Sequence, residues 1–263
     1  MNLAIENKNA LVCGGSKGIG KATAIELAKL GANVTLVSRS EESLKKAIQD
    51  LDTSLGQQHD YLSIDFSDVK NVEVGIKSYL DATKKNFHIL INNTGGPAGG
   101  AIEKAGLDEF ISAFNNHLLC NHALVQLLLE GMKTDSYGRV INIISTSVKA
   151  PLKGLGVSNT IRGAVANWAK TMANELGAYG ITVNNVLPGA TGTERLSAII
   201  GNKAKKLNVS EDEAATQMKN IIPLGRFAKP EEVASAAAFL CTPAAAYING
   251  INLPVDGGRT PAL

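Results

Sequence analysis

The run VCGGSKGIGKAT, residues 12–23, joins an apolar β-branched stretch to a helical pattern, and three chemistries overlap in it. Gly14-x-Ser16-x-Gly18 has the form of a nucleophile elbow, but that elbow belongs late in a hydrolase sheet, and here only about a dozen residues precede it. Gly15-x4-Gly20-Lys21 nearly spells a nucleotide-triphosphate loop. Ala22 stands where a hydroxyl should meet magnesium, which argues against an ATPase. Gly14-x3-Gly18-x-Gly20 fits a dinucleotide loop: glycines let the backbone turn tightly and bring a pyrophosphate to the positive end of a helix. A glycine-rich turn with packing duties only is the plain alternative. The next strand, NVTLVSR, ends on Arg39 with no acid to bond a ribose 2′-hydroxyl. Lys17 in the loop and Arg39 together favour a 2′-phosphate, hence NADP(H) over NAD(H), the alternative being two solvated surface cations. Gly14, Ser16, Lys17, Gly18, Ile19, Gly20 and Arg39 are the expected dinucleotide-binding set.

The elements that must position these residues alternate between strand and helix. NALVCG, NVTLVSR, HDYLSIDF, FHILINN, GRVINIIS, ITVNNVLPG and INLPVDGG read as strands. Helical patterns run over roughly 18–30, 68–85, 107–133, 157–179 and 230–241, with SEESLKKAIQDL as a further helix capped by Ser40. The expected fold is α/β: one Rossmann-type doubly wound parallel sheet with helices on both faces. Residues 1–263 form a single domain in this reading, with an insertion at about 190–225 that reads as a lid, a plain surface excursion being the alternative. Ser210 and Glu213 in SEDE fit a capping box, so the insertion carries a helix.

Composition excludes several classes. The chain has 263 residues, 44% of them hydrophobic, and a formal net charge of +2, without a block of Lys or Arg. Nucleic acid and anionic membranes are therefore not expected partners. The three cysteines, Cys13, Cys120 and Cys241, are far apart, and no His, Cys or carboxylate cluster has metal-site spacing, so no metal is expected. The start MNLAIENKNA has no apolar signal core, and a cytoplasmic protein is expected. Ser145, Thr146 and Ser147 crowd one strand end; Ser145 best suits a bond to a substrate carbonyl, and the other two suit a turn.

Several motifs in order resemble the short-chain dehydrogenase/reductase family over nearly the whole chain: GGSKGIG, SID near residue 65, NNTG at 92–95, GRVINIIS, VNNVLPG, IPLGRFAKPEEVA and VDGG. The general likeness is to bacterial 3-oxoacyl-acyl-carrier-protein reductases. The resemblance implies an oxidoreductase, with Asp65 near the adenine, Asn93 near the cofactor ribose, and the segment Pro188, Gly189, Thr191 and Thr193 at the nicotinamide carboxamide. Gly95 opens a glycine-rich run, 95–100, that reads as a flexible pocket wall where backbone approaches the ligand, a mere loop being the alternative. A small-molecule or acyl substrate and a homodimer or homotetramer are also implied, the assembly forming through the long helices and the INLPVDGG end. The first loop departs by having Cys13 where a threonine usually ties the loop to neighbouring backbone.

The active-site departure is larger. The family uses Asn, Ser, Tyr and Lys. Ser145 matches the serine, but Ser158 stands at the tyrosine position, Arg162 at the lysine position and His117 at the asparagine position. A serine alcohol is too weak and too short to copy a phenol, and an arginine stays protonated. Arg162 is expected to hold the ribose and stabilise developing charge. His117, an imidazole with an ordinary pKa near 6.5, is expected to relay a proton through Ser158 or water; a merely structural histidine is the alternative. Two functions follow: an NADP(H)-dependent carbonyl/alcohol oxidoreductase with an altered proton relay, or an NADP-binding protein with little turnover, acting as a sensor or in assembly.

Overall fold

In the computed structural model, described over residues 1–262, strands β1 (Asn9–Cys13), β2 (Asn33–Ser38), β3 (Asp60–Ser63), β4 (Ile89–Asn92), β5 (Gly138–Ile143), β6 (Ile181–Pro188) and β7 (Asn252–Val255) form one sheet. Its order is β3-β2-β1-β4-β5-β6-β7, and the pairings are all parallel. The central strands are buried on both faces, so they read as continuous apolar runs rather than alternating ones. Alternation appears instead in which core each side chain joins. Val12, Ile91 and Ile141 pack with Leu27 and Val233, on α1 (Gly18–Lys29) and α9 (Pro230–Leu240). Their strand neighbours Leu11, Leu90 and Val140 pack on the other face, against α3 (Val69–Thr83), α5 (Cys120–Thr134) and α6 (Gly156–Leu176).

Strand order reverses between β1 and β4, and in such sheets the ligand crevice lies beyond the carboxyl ends at that switch. The glycine loop leaves β1 there, and the NTGGPAGG segment leaves β4 beside it. Ser40 caps α2 (Glu41–Ala47) as expected, accepting from the Ser43 amide at 3.3 Å. The expected continuous helix over 107–133 is instead α4 (Leu107–Phe114), a π-helical turn over residues 115–119, and α5. The insertion holds α8 (Glu211–Lys219), whose Ser210 cap accepts from Glu213 N at 3.1 Å, and an unforeseen α7 (Glu194–Leu207). No helix among the described residues is long and apolar enough to cross a membrane.

One polar feature crosses this apolar sheet. Asn142 pairs in register with Asn92 on one side and Asn185 on the other, and Asn185 with Asn252. Each amide donates to the next: Asn92 to Asn142 at 2.9 Å, Asn142 to Asn185 at 2.8 Å, and Asn185 to Asn252 at 2.8 Å. Each bond contributes about 1 kcal/mol and keeps a buried amide satisfied. At the β1 end the series stops, and the buried Asn92 Oδ1 has no hydrogen-bond partner.

Candidate active site

The glycine loop is shaped by close backbone approach. Gly14 and Gly18 have φ of +60° and +56°, in the left-handed region that disfavours side chains. A Cβ on Gly14 would also collide with the Asn93 carbonyl, and one on Gly20 with the Gly14 carbonyl. Asn93 ties the two loops together, donating from Nδ2 to Cys13 O at 3.3 Å and Gly14 O at 3.5 Å. Gly18 faces Thr193: a Cβ there would lie 3.3 Å from the Thr193 methyl. Lys17 begins α1 without a side-chain cap, and no acid stands in the first turn. The first amides of α1 therefore point into the crevice without a side-chain acceptor, which fits an anionic pyrophosphate. Arg39 is exposed past the end of β2 and makes no ion pair among the described residues.

Lys17 is not a free surface cation. Its ammonium is bound to Glu194, in the first turn of α7. That is where a helix dipole favours an acid, so the ion pair draws the lysine across the crevice. Asp65 accepts from Ser67 N at 2.9 Å, just beyond β3. In the segment after β6, Thr191 Oγ1 donates to Gly189 O at 3.1 Å and Thr193 Oγ1 to Thr191 O at 3.3 Å. Gly189 lies so close to Asp256 that a Cβ would come within 2.7 Å of the Asp256 Cα. The wall at Gly95 is open, with nothing within 4 Å of a hypothetical Cβ.

On the substrate side, Ser145 closes β5 and its Oγ accepts from the Ser147 amide at 3.1 Å. That bond uses a lone pair and leaves the hydroxyl proton available. Ser158 and Arg162 lie four residues apart on one buried face of α6. Arg162 Nη1 donates to Ile143 O at 3.1 Å, which docks the guanidinium against the end of β5. Burial, then the charge of Arg195, lowers Arg162 to about 10, so it remains a cation near neutrality. The two tyrosines near in sequence, Tyr137 and Tyr179, are engaged elsewhere. Tyr137 donates to Cys241 O at 2.6 Å, and Tyr179 lies beside Lys133 in the short 3₁₀ turn before β6.

His117 sits in the π turn, 2% exposed, with Nδ1 2.7 Å from Thr94 Oγ1. Titration near 6.5 was the expectation; the structure corrects it. Burial, followed by the charges of Arg162 and Arg195, holds the imidazole down to about 3, so it is neutral at physiological pH. It is not a stored acid in this state.

Sequence reasoning missed Arg195. Its Nη1 donates to Gly96 O at 2.8 Å and its Nη2 to Pro97 O at 3.2 Å. A cation in the first turn of a helix opposes the helix dipole, and that local misfit in TGTER was the available signal. Glu194 and Arg195 thus clasp both sides of the crevice from adjacent positions.

Residues 14–260 match the family described as Enoyl-(Acyl carrier protein) reductase. The chain is 34% identical to the 3-oxoacyl-[acyl-carrier-protein] reductase FabG of Vibrio harveyi, over 98% of each chain. It is 28% identical to the NADPH-dependent reductase BacG of Bacillus subtilis (strain 168), over 98% of this chain and 100% of that one. The L-sorbose reductase of Gluconobacter frateurii, solved with NADPH and L-sorbose, superposes with a TM-score of 0.93 at 27% identity over 100% of both chains. The chain belongs to the short-chain dehydrogenase/reductase family of oxidoreductases.

Proposed function

We propose that this protein is an NADP(H)-dependent oxidoreductase acting on the carbonyl/alcohol pair of a small-molecule or acyl substrate, with an altered way of handling the proton. The observation that carries the reading is the uncapped start of α1 in a loop of left-handed, closely packed glycines beside Asn93. The NADPH-dependent relatives support it. Ser16, Lys17, Gly18, Ile19 and Gly20 would surround the pyrophosphate. Arg39 would face the 2′-phosphate, Asp65 the adenine, and Asn93 with Gly95 the ribose. Pro188, Gly189, Thr191 and Thr193 would meet the carboxamide. When bound, the nicotinamide supplies the hydride.

The chain's own residues then manage charge. Ser145 donates a hydrogen bond to the substrate oxygen. Arg162 holds the ribose hydroxyls and stabilises negative charge as it develops on that oxygen. No phenol and no lysine replaces the family's acid. The proton comes from solvent, with Ser158 and neutral His117 as hydrogen-bonding stations rather than as its store. Residues 190–225 close over the cofactor, and α7 carries the clasp. A homodimer or homotetramer is supported by Leu107 and Ile111, 81% and 58% exposed on α4. A second reading, a cofactor-binding protein with little turnover, is favoured by Ser158 in place of a tyrosine and by the neutral, buried His117.

One assay separates the two. NADPH binding is followed by fluorescence, and NADPH absorbance is followed against ketones, quinones and acyl thioesters. Binding with oxidation supports the reductase. Binding without oxidation by any member of the panel supports the second reading, and no binding removes both.

A further inference from the structure

Two guanidinium groups meet beside the glycine-rich wall without an acid between them. Arg195 Nη2 and Arg162 Nη2 lie 2.8 and 3.2 Å from the point where a Cβ on Gly96 would sit. Neither arginine makes an ion pair among the described residues, and Glu194, adjacent in sequence, is taken by Lys17. Backbone carbonyls of Ile143, Gly96 and Pro97 orient the two forks. Carbonyl dipoles cannot cancel two net charges. One of the pair, Arg162, is only 8% exposed, so water screens the repulsion poorly. The fold gains little from this arrangement: Arg195 also opposes the dipole of α7. Like charges held together at a crevice, at a cost to the apo protein, form a receptor for an anion.

We propose that Arg195, backed by the free edge of Arg162, receives a carboxylate of the substrate, which makes this protein a reductase of oxo acids. The proposal rests on the reductase reading above and names its substrate class. A planar carboxylate matches a guanidinium fork with two parallel hydrogen bonds. The pyrophosphate has its own seat at the start of α1, by Gly18 and Thr193. Arg195 is solvent-exposed whereas Ser145 is half-buried. The charged end of the substrate therefore stays at the mouth, while its carbonyl reaches inward to Ser145. His117 fits this division, since a neutral imidazole adds no third positive charge.

The test compares pyruvate, acetoacetate and levulinate with their methyl esters, using NADPH oxidation by the full-length protein. At least one acid should exceed its ester by about 10–100-fold in kcat/KM, the size of a lost charge-assisted contact. Arg195→Gln should collapse that ratio toward one, and Arg195→Lys should keep part of it. The NADPH dissociation constant of Arg195→Gln should stay within about two-fold of wild type; a ten-fold loss would place the cofactor pyrophosphate on Arg195 and overturn the proposal. Esters reduced as well as acids would also overturn it. If no probe is reduced, the melting temperature of the NADP-saturated protein is measured with each acid. A rise that Arg195→Gln abolishes keeps the carboxylate site and removes the redox reading; no rise with any acid removes the site.

Discussion

The two walls of the crevice were built under different constraints. On the cofactor wall, function follows from backbone: positive φ at Gly14 and Gly18, the Asn93 tether, and uncapped amides at α1. On the substrate wall it follows from side chains: Ser158 and Arg162 on one face of α6, and Arg195 reaching in from α7. Backbone geometry admits few solutions, so the first wall tolerates little exchange. Side chains can be exchanged on a fixed frame, so the second can acquire a new task without a new fold.

The largest expected effect lies on the cofactor wall. Gly14→Ala places a Cβ in a left-handed conformation and against Asn93, and should weaken NADPH binding by about 10–100-fold. Fluorescence titration measures it, with circular dichroism to confirm folding. If binding is retained, the contrast between the walls fails. Arg39→Ala should weaken NADPH by about ten-fold and leave NADH within about two-fold, because only the 2′-phosphate needs the guanidinium. Equal losses for both nucleotides would show that Arg39 does not read that phosphate.

On the substrate wall, His117→Asn should change the rate by less than about three-fold, since a neutral imidazole holds no proton to donate. Steady-state rates from pH 6 to 8 decide it, and a ten-fold loss would restore the histidine as acid. The same residue acts on stability with a defined sign. Its folded pKa, about 3, lies below the ordinary 6.5, so the unfolded chain binds more protons as pH falls through 6.5. Stability should decline from pH 7 to pH 5 in the absence of ligand, and His117→Asn should make that decline shallower in urea titrations. His88, also lowered by burial and by Lys8 against the pull of Asp135, keeps part of the slope.

The smallest effect concerns the seam between the walls. Cys13 follows Val12, which pairs with Ile91, so it lies level with Asn92 and its unpartnered Oδ1. Cys13→Thr offers a hydroxyl there and should stabilise by about 1 kcal/mol, raising Tm by about 2–4 °C. A lower Tm would mean that the thiol's packing outweighs the new bond.

What the sequence disclosed follows the same division. Strands, the glycine loop and the Ser40 and Ser210 caps are local, each decided within a few residues, and each formed where expected. The register of the family motifs singled out Ser145, Ser158, Arg162 and His117, but not what surrounds them. Lys17 meets an acid 177 residues away, and Arg195 meets Gly96 99 residues away; no periodicity carries such pairings. The depressed His117 follows from its burial and then from both arginines, all of which depend on the tertiary fold. The asparagine series was visible only as polar letters in apolar strands, because its register depends on strand order.

The π turn over residues 115–119 gives α4 and α5 different rotational phases. A helix advances about 100° per residue, so one surplus residue turns everything before it relative to everything after. With it, α4 presents Leu107 and Ile111 outward while α5 sends Leu124 and Leu128 into the core. Deleting a single residue there would swing α4 out of step and carry His117 away from Thr94, whatever amino acids remained. This stretch is thus governed by chain length more than by residue identity: exchanges can accumulate in it, but a one-codon loss cannot pass silently.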